Sequence, residues 1–104
     1  MFARVSTFQG PPEAAEDGIR AVREQVLPAA RNMPGFRGLL ALIDRSTGKS
    51  LGVTLWATEE DMRASEAAAD RLRSSSAQSG GGQVVSVERY EVAVDAAVDA
   101  GARS

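Results

Sequence analysis

Four segments of the chain have the composition and spacing of β-strands, with β-branched, aromatic and alternating apolar residues. They are Phe2–Gln9, Phe36–Asp44, Ser50–Ala57 and Gln83–Val94. The second and third segments are separated by Arg45–Lys49, whose Ser, Thr and Gly residues favour a turn with Gly48 in the left-handed region. This pattern predicts four strands, of which the middle two form a hairpin.

A first helix is predicted over Pro12–Asn32. Proline is favoured in a first helical turn, and the acidic residues that follow it complement the helix dipole. Apolar residues at a spacing of three or four form one stripe: Ile19, Val22, Val26, Ala30 and Met33. Gly18 costs about 1 kcal/mol relative to alanine. Pro28 removes one backbone hydrogen bond, so we expect a kink there, and Pro34 and Gly35 end the helix.

A second helix is predicted over Glu59–Ser74. Thr58 and Asp61 form a T-x-x-D pattern, whose side chains can satisfy the free amide groups at a helix start. The inward stripe of this helix is thin and consists of Met62, Ser65, Ala69 and Leu72. The Ser- and Gly-rich stretch Ser74–Gly82 predicts a flexible loop, and residues 95–104 are expected to fray.

The order β-α-β-β-α-β predicts an α+β, ferredoxin-like domain with a four-stranded antiparallel sheet over residues 1–94. Both helices would cover one face of this sheet. The other face is also apolar, whereas an antiparallel sheet with one wet face alternates apolar with polar residues. A monomer would therefore expose an apolar patch beyond roughly a few hundred Å². We predict a homodimer whose sheets pack face to face through Leu51, Val53 and Leu55.

Composition argues against several classes of function. The 104 residues carry a net charge of −2, so the chain lacks the basic field that favours nucleic acid or an anionic membrane. The absence of cysteine and histidine removes thiol nucleophiles, the commonest general base and the usual haem ligand. The acidic run 59–61 compensates a helix dipole more simply than it binds a metal. We expect no metal, no cofactor and, without a secretory or membrane-spanning pattern, a cytoplasmic location.

Three short motifs resemble those of the dimeric α+β barrel proteins, and most closely the antibiotic-biosynthesis-monooxygenase-like domain. They are M-P-G-F at Met33–Phe36, V-T-L-W at Val53–Trp56 followed by T-E-E-D, and the terminal V-E-R-Y-E-V strand. The resemblance covers residues 2–94 and implies a dimeric α+β barrel, with a pocket between the sheet and the helices of each subunit. The family includes cofactor-free monooxygenases that oxidise aromatic polyketides to quinones, and also haem-degrading enzymes.

The resemblance places around this pocket the inward side of both helices and the residues Ser6, Thr54, Trp56 and Ser65. Trp56 can stack on a flat aromatic substrate, or it can fill the sheet-to-helix junction as core. Asn32 can bind a substrate oxygen, or it can cap the first helix. Arg4 lies on the same strand face as Ser6. Both Arg4 and Tyr90 can orient a phenolate or carboxylate, or they can be surface and rim residues.

The leading expectation is a cofactor-independent, monooxygenase-like protein that acts on an aromatic or polyketide-type small molecule. Such chemistry needs groups that stabilise a deprotonated substrate, a role that Arg and Tyr fill without histidine. The alternative is a non-catalytic homodimer that is structural or binds an apolar or aromatic small molecule. The haem-degrading branch has an asparagine, a tryptophan and a histidine ligand where this chain has Ser6, Ser65 and Ser74 or a neighbour. Haem degradation is therefore not expected.

Overall fold

The four predicted strands form one antiparallel sheet. The computed structural model describes residues 1–79 and 82–96, and its strands are β1 (Phe2–Gln9), β2 (Phe36–Ile43), β3 (Lys49–Trp56) and β4 (Gln83–Glu91). The strand order is β2-β3-β1-β4, so β1 lies between β3 and β4. β2 and β3 pair as the predicted hairpin, and Gly48 has φ +79 at its turn. The predicted ferredoxin-like α+β fold is confirmed.

The first helical region is divided into short segments around its proline. They are a 3₁₀ turn at Pro12–Ala14, α1 (Ala15–Ala21), a π-helical stretch at Val22–Val26, and α2 (Leu27–Arg31). Pro28 has no N–H to donate to the carbonyl of Glu24, and its ring crowds that carbonyl. A wider π-helical turn accommodates such a conflict. The disruption expected at Pro28 thus takes the form of the π-helical stretch before it.

The second helical region begins where the sequence predicts. Thr58 is the N-cap, and its Oγ1 accepts a hydrogen bond of 3.0 Å from the Asp61 backbone N–H. The helix is not continuous, because α3 (Glu59–Ala64) and α4 (Glu66–Ser79) are separated at Ser65. This break becomes important for the site, because it places a backbone carbonyl and a hydroxyl beside β1.

The prediction of a flexible loop over Ser74–Gly82 was wrong for its first six residues, Ser74–Ser79, which are helical. α4 continues through the serines to Ser79. The reason is tertiary packing, because Ala77 is buried and Ser76 faces the sheet across the interlayer space. Such contacts override the weak helix propensity of serine. Residues 80 and 81 lie outside the described residues.

The core between the sheet and the helices is thin. Among the described residues, Trp56 and Met62 are the two large side chains that are fully buried, and the other buried apolar residues are all alanines. Because alanine fills little volume, the two layers do not close completely against each other. The remaining space is the candidate site.

The opposite face of the sheet is apolar and is covered by nothing in the described part of the chain. Leu51, Val53 and Leu55 alternate along β3 with the helix-facing residues of that strand. On β2, Leu40 and Leu42 pair with Val53 and Leu51, and they are 56% and 48% exposed. The sheet that is apolar on both faces, which the sequence predicts, is therefore present.

The C-terminal part of the chain adds no regular element within the described residues. Residues 92–96 have no regular secondary structure, and the rest of the segment expected to fray, 97–104, lies outside the described residues. None of the helices in the described ranges is both long and apolar enough to cross a membrane.

Candidate functional site

A cavity of about 390 Å³ lies between the sheet and the first helical region. Its largely apolar lining includes Phe8, Ile19, Val22, Leu39, Gly52 and Ala77. Glycine contributes to this space, because a Cβ at Gly18 would meet no atom within 4 Å. Sites for small molecules usually start at roughly 300 Å³. The cavity is large enough for a compact aromatic ligand.

A second space of about 80 Å³ adjoins the first. Phe8, Leu39 and Gly52 line both of them. At this end polar side chains join the lining, and four of the candidates from the sequence meet here: Arg4, Ser6, Thr54 and Trp56. The two spaces together form a chamber with an apolar body and a polar end, which we call the interlayer chamber.

Trp56 closes the sheet-to-helix junction. It is 1% exposed, and its ring meets Phe36 edge-to-face, with 5.8 Å between centroids and 72° between planes. Its Nε1–H donates to Thr54 Oγ1 at 3.0 Å, so the one polar group of the indole is satisfied. Of the two interpretations of this residue, the structure favours core, with one side of the ring at the small end of the chamber.

Arg4 is buried in the core, so its interpretation as a surface or rim residue is wrong. Its side chain is 2% exposed, because it extends from β1 to the break between α3 and α4. Nη2 donates to the Met62 carbonyl oxygen at 2.6 Å and to Ser65 Oγ at 2.7 Å. Ser65 is itself buried, and its hydroxyl donates to the same carbonyl at 2.7 Å. Arg4 and Ser65 therefore hold the helix break against the sheet.

Glu66 balances the charge of Arg4, and the same carboxylate also binds Arg89. Arg89 donates to both carboxylate oxygens, at 2.7 and 2.8 Å, while Arg4 Nε reaches Oε1 at 3.3 Å. The hydrogen bonds from Arg89, together with the charge of Arg4, lower the pKa of Glu66 to about 2. Burial lowers the pKa of Arg4, and Glu66 opposes that shift. The result is a partly buried Arg–Glu–Arg triad with an ionised carboxylate.

One nitrogen of Arg4 remains free for a ligand. Nη2 and Nε have the partners described above, whereas Nη1 makes no hydrogen bond within the described residues. No fully enclosed side-chain nitrogen or oxygen in that part of the chain lacks a partner, so Nη1 must touch accessible space. Arg4 also lines the small end of the chamber, so Nη1 is the donor that this side chain has left for a ligand there.

Asn32 and Tyr90 do not line the chamber. Asn32 is the exposed C-cap of α2, and its Nδ2 donates to the Pro28 carbonyl at 3.3 Å. Tyr90 pairs with Ala3 and so lies on the uncovered face of the sheet, opposite to the face of Arg4. Its hydroxyl donates to Glu88 Oε2 at 2.9 Å, which raises the pKa of Tyr90. The structure supports the capping role for Asn32 and a surface position for Tyr90.

Sequence reasoning missed Glu66, Arg73 and Arg89. Each is a charged residue on a helix or an outer strand, where a solvated position is the ordinary expectation. One signal was available for Arg89, because strand alternation places it on the helix-facing side, beside Arg4. A weaker signal was available for Arg73, which lies four residues after Ala69 and so next to it on the inward side of the helix.

The fold and the chamber define a class of protein, namely a ferredoxin-like α+β domain with a ligand-sized space between its sheet and its helices. The chain belongs to the antibiotic biosynthesis monooxygenase family, whose model matches residues 1–74. The family resemblance inferred from the sequence motifs is thereby confirmed.

The chain is also similar to an individual protein of known sequence. The chain is 36% identical over 93 residues to the uncharacterized protein Rv2557 of Mycobacterium tuberculosis, and the match covers 89% of this chain and 41% of that protein. The chain thus spans about two fifths of that relative's length.

Two solved structures share the fold at low sequence identity. The haem degrader MhuD of M. tuberculosis superposes with a TM-score of 0.73 at 19% identity, over 93% of this chain and 100% of that chain. A monooxygenase from the gene ActVA-Orf6 of Streptomyces coelicolor, in complex with nanaomycin D, gives a TM-score of 0.66 at 17% identity. That match covers 92% of each chain.

Proposed function

We propose that this protein is a cofactor-independent, monooxygenase-like enzyme that acts on an aromatic, polyketide-type small molecule in the interlayer chamber. The observation that carries the proposal is the 390 Å³ cavity, which is mainly apolar and leads to the polar end beside Arg4. Family membership supports it, as does the similarity in fold to a monooxygenase that was solved with nanaomycin D.

The reaction class needs no electron donor besides the substrate. A methylene carbon of an electron-rich ring system loses its two hydrogens as dioxygen reacts with the deprotonated substrate; in a phenol, one hydrogen comes from the ring carbon that is oxidised and the other from the hydroxyl group. One oxygen atom forms the new carbonyl, and the other leaves as water together with the two hydrogens. The task of the protein is to bind the substrate and to stabilise the anion. Arg4 Nη1, the free donor at the small end, is the group suited to the anion.

Deprotonation of the substrate has no evident base in the chamber. Among the described residues, neither lined space includes an Asp, a Glu or a Tyr, and the chain has no His or Cys. The proton therefore passes to water, and the acidity of the substrate itself controls the step. A ring system whose anion is accessible near neutral pH is the substrate class that fits.

This absence of a base also favours the second candidate, a non-catalytic protein that binds the same class of molecule. The two candidates differ in turnover and not in ligand. Haem degradation is not proposed, even though MhuD shares the fold, because the chain contains no histidine to serve as the usual haem ligand.

Filling the chamber provides the test of this function. The expected result for Gly18→Leu is a loss of at least about tenfold in anthrone-dependent oxygen uptake, because its side chain extends into the open space at that position. Anthrone binding, followed by fluorescence, should weaken in parallel. Gly18→Ala is the matched control, since it adds one methyl group and favours the helix by about 1 kcal/mol.

The two variants separate the candidates. Oxygen uptake by the wild type and by Gly18→Ala, but not by Gly18→Leu, supports the enzyme. Binding without oxygen uptake in all three proteins supports the ligand-binding alternative. Equal anthrone binding by Gly18→Leu and Gly18→Ala contradicts the placement of the site in the chamber.

We also propose that the uncovered sheet face is the interface of a homodimer, as the sequence predicts. On β2, Leu40 and Leu42 are exposed, and the half-buried Leu51, Val53 and Leu55 of β3 continue the same apolar face. A contiguous apolar patch of this kind is typical of a protein interface. The family resemblance implies the same arrangement. With the sheets in contact, the helices and the chamber of each subunit lie outside.

A charge on this face should dissociate the dimer. Val53→Asp places a carboxylate between Val5 and Leu40, its neighbours on the adjoining strands, and burying it unpaired costs about 2 kcal/mol or more per subunit. We expect sedimentation velocity to show a dimer for the wild type and a monomer for the variant at the same micromolar concentration. Ala67→Asp, on an exposed position of α4, should remain dimeric. A monomeric wild-type chain would contradict the proposal.

A further inference from the structure

The charged groups that line the interlayer chamber all have one sign. Three arginines contribute to its walls: Arg4 and Arg73 at the small end, and Arg23 at the large cavity. Among the described residues no carboxylate lines either space. This is unusual in a chain whose net charge is −2. A ligand in the chamber meets a positive environment.

Of the two arginines at the small end, Arg73 is the less neutralised. Its side chain is only 11% exposed, although it extends from α4 toward the small end of the chamber. Its ion pair is with Asp70, three residues earlier on the same helix, at 3.4 Å, and Asp70 is 76% exposed. Such a long pair with a solvated carboxylate contributes little. Most of the cost of burying the Arg73 guanidinium is therefore not compensated by the chain itself.

Arg4 provides the second free donor. Its Nη1 has no hydrogen-bond partner in the described residues and is not fully enclosed, and Arg4 lines the small end of the chamber. The charge of Arg73 destabilises that of Arg4 and contributes to the lowered pKa of Arg4. Glu66, the carboxylate beside Arg4, is already engaged by Arg89 through two hydrogen bonds. An anion at the small end would relieve both repulsion and desolvation.

We propose that the chamber selects an organic anion, with its aromatic body in the 390 Å³ cavity and its carboxylate or phenolate between Arg4 Nη1 and Arg73. Guanidinium groups suit planar oxyanions because they donate hydrogen bonds in a fixed geometry. Arg73 is then the residue that determines specificity for charge. This inference rests on the proposed function, since it defines the ligand class of the same site.

A matched pair of probes tests this selectivity. 2-Naphthoate and 2-naphthamide have nearly the same shape and differ in charge. Isothermal titration of the wild-type protein should give naphthoate about tenfold or greater preference over naphthamide, the scale of one charge-assisted hydrogen bond. In Arg73→Gln the preference should fall by about tenfold, because naphthoate loses affinity while naphthamide does not. Arg73→Lys should retain part of it, since the charge remains.

Arg20→Gln is the control, because Arg20 is 65% exposed on α1 and pairs with Asp17 outside the chamber. It should leave both affinities unchanged. Equal binding of the two probes by the wild type overturns the anion proposal, and equal effects of Arg73→Gln on both probes overturn the role of Arg73. Either result leaves the proposed function standing if anthrone still supports oxygen uptake. Failure of both probes and of anthrone to bind contradicts both proposals.

Discussion

Replacing Trp56 by alanine is expected to lower the free energy of unfolding by about 3–5 kcal/mol, the range for truncating a buried large aromatic side chain. Trp56 is 1% exposed and is one of two large side chains that are fully buried among the described residues. The core has few other large groups to move into the space, so the cavity left behind should persist. The effect should therefore lie in the upper part of that range.

Three contacts of the indole would be lost together. Its ring packs edge-to-face on Phe36 at 5.8 Å, the guanidinium carbon of Arg4 lies 5.4 Å from its centroid, and its Nε1–H is bonded to Thr54. A cation–π contact on a desolvated arginine adds about 1–2 kcal/mol to simple burial. The substitution thus weakens the anchoring of Arg4 as well as the apolar core.

Urea-induced unfolding, followed by far-ultraviolet circular dichroism, measures this loss. Trp56→Phe is the control, because it retains a ring against Phe36 and gives up mainly the Thr54 hydrogen bond, so it should cost about 1–2 kcal/mol. If Trp56→Ala cost no more than Trp56→Phe, the indole would not be a core element. It would then be better described as a wall of the ligand site.

The strands and helix starts follow from local rules, which explains why the sequence predicts them well. β1 has the predicted bounds, and β2 and β3 differ from their predicted bounds by one residue at their ends. β4 was predicted to reach Val94, but it ends three residues earlier, at Glu91. The Thr58 cap is formed as predicted, and Gly35 and Gly48 both have φ +79 where the chain must turn. Each of these features depends on a residue and its near neighbours.

The site was harder to predict because its contacts are distant in sequence. Arg4 is a charged residue on a short strand, and burial becomes tolerable only through Glu66, 62 residues away. Ser65 fits a continuous helical stripe, yet the helix breaks there and its hydroxyl accepts from Arg4. The chamber itself results from the small size of buried alanines on separate elements. Hydrophobic periodicity identifies the face of an element but not the volume left between two faces.

Neutralising Glu66 should destabilise the fold strongly at neutral pH. Glu66→Gln keeps the size of the side chain but removes the charge that balances Arg4, which is 2% exposed. Removing one partner of a buried ion pair costs about 3–5 kcal/mol. Glu66 retains 28% exposure, so water compensates in part and we expect a loss of about 2–3 kcal/mol.

The lowered pKa of the Glu66 carboxylate predicts how the free energy of unfolding depends on pH. Folding lowers the pKa of Glu66 from 4.5 to about 2, so its contribution is complete above pH 4.5 and is lost as the pH falls toward 2. A shift of this size corresponds to at most about 3 kcal/mol, and screening at the half-exposed Arg89 reduces this to about 2 kcal/mol. Glu66→Gln should lack this component, so the two proteins should converge in stability toward pH 2.

Glu59→Gln is the matched control for this experiment. Glu59 forms an ion pair of 2.9 Å with Arg63 on the exposed side of α3, and an exposed pair with this i,i+4 spacing contributes only about 0.5 kcal/mol. Urea titrations of the three proteins at pH 7, 4 and 2.5 distinguish the two positions. If Glu66→Gln lost no more stability than Glu59→Gln at pH 7, the cation of Arg4 would not depend on Glu66. Its charge would then be balanced by the carbonyl and hydroxyl at the α3–α4 break alone.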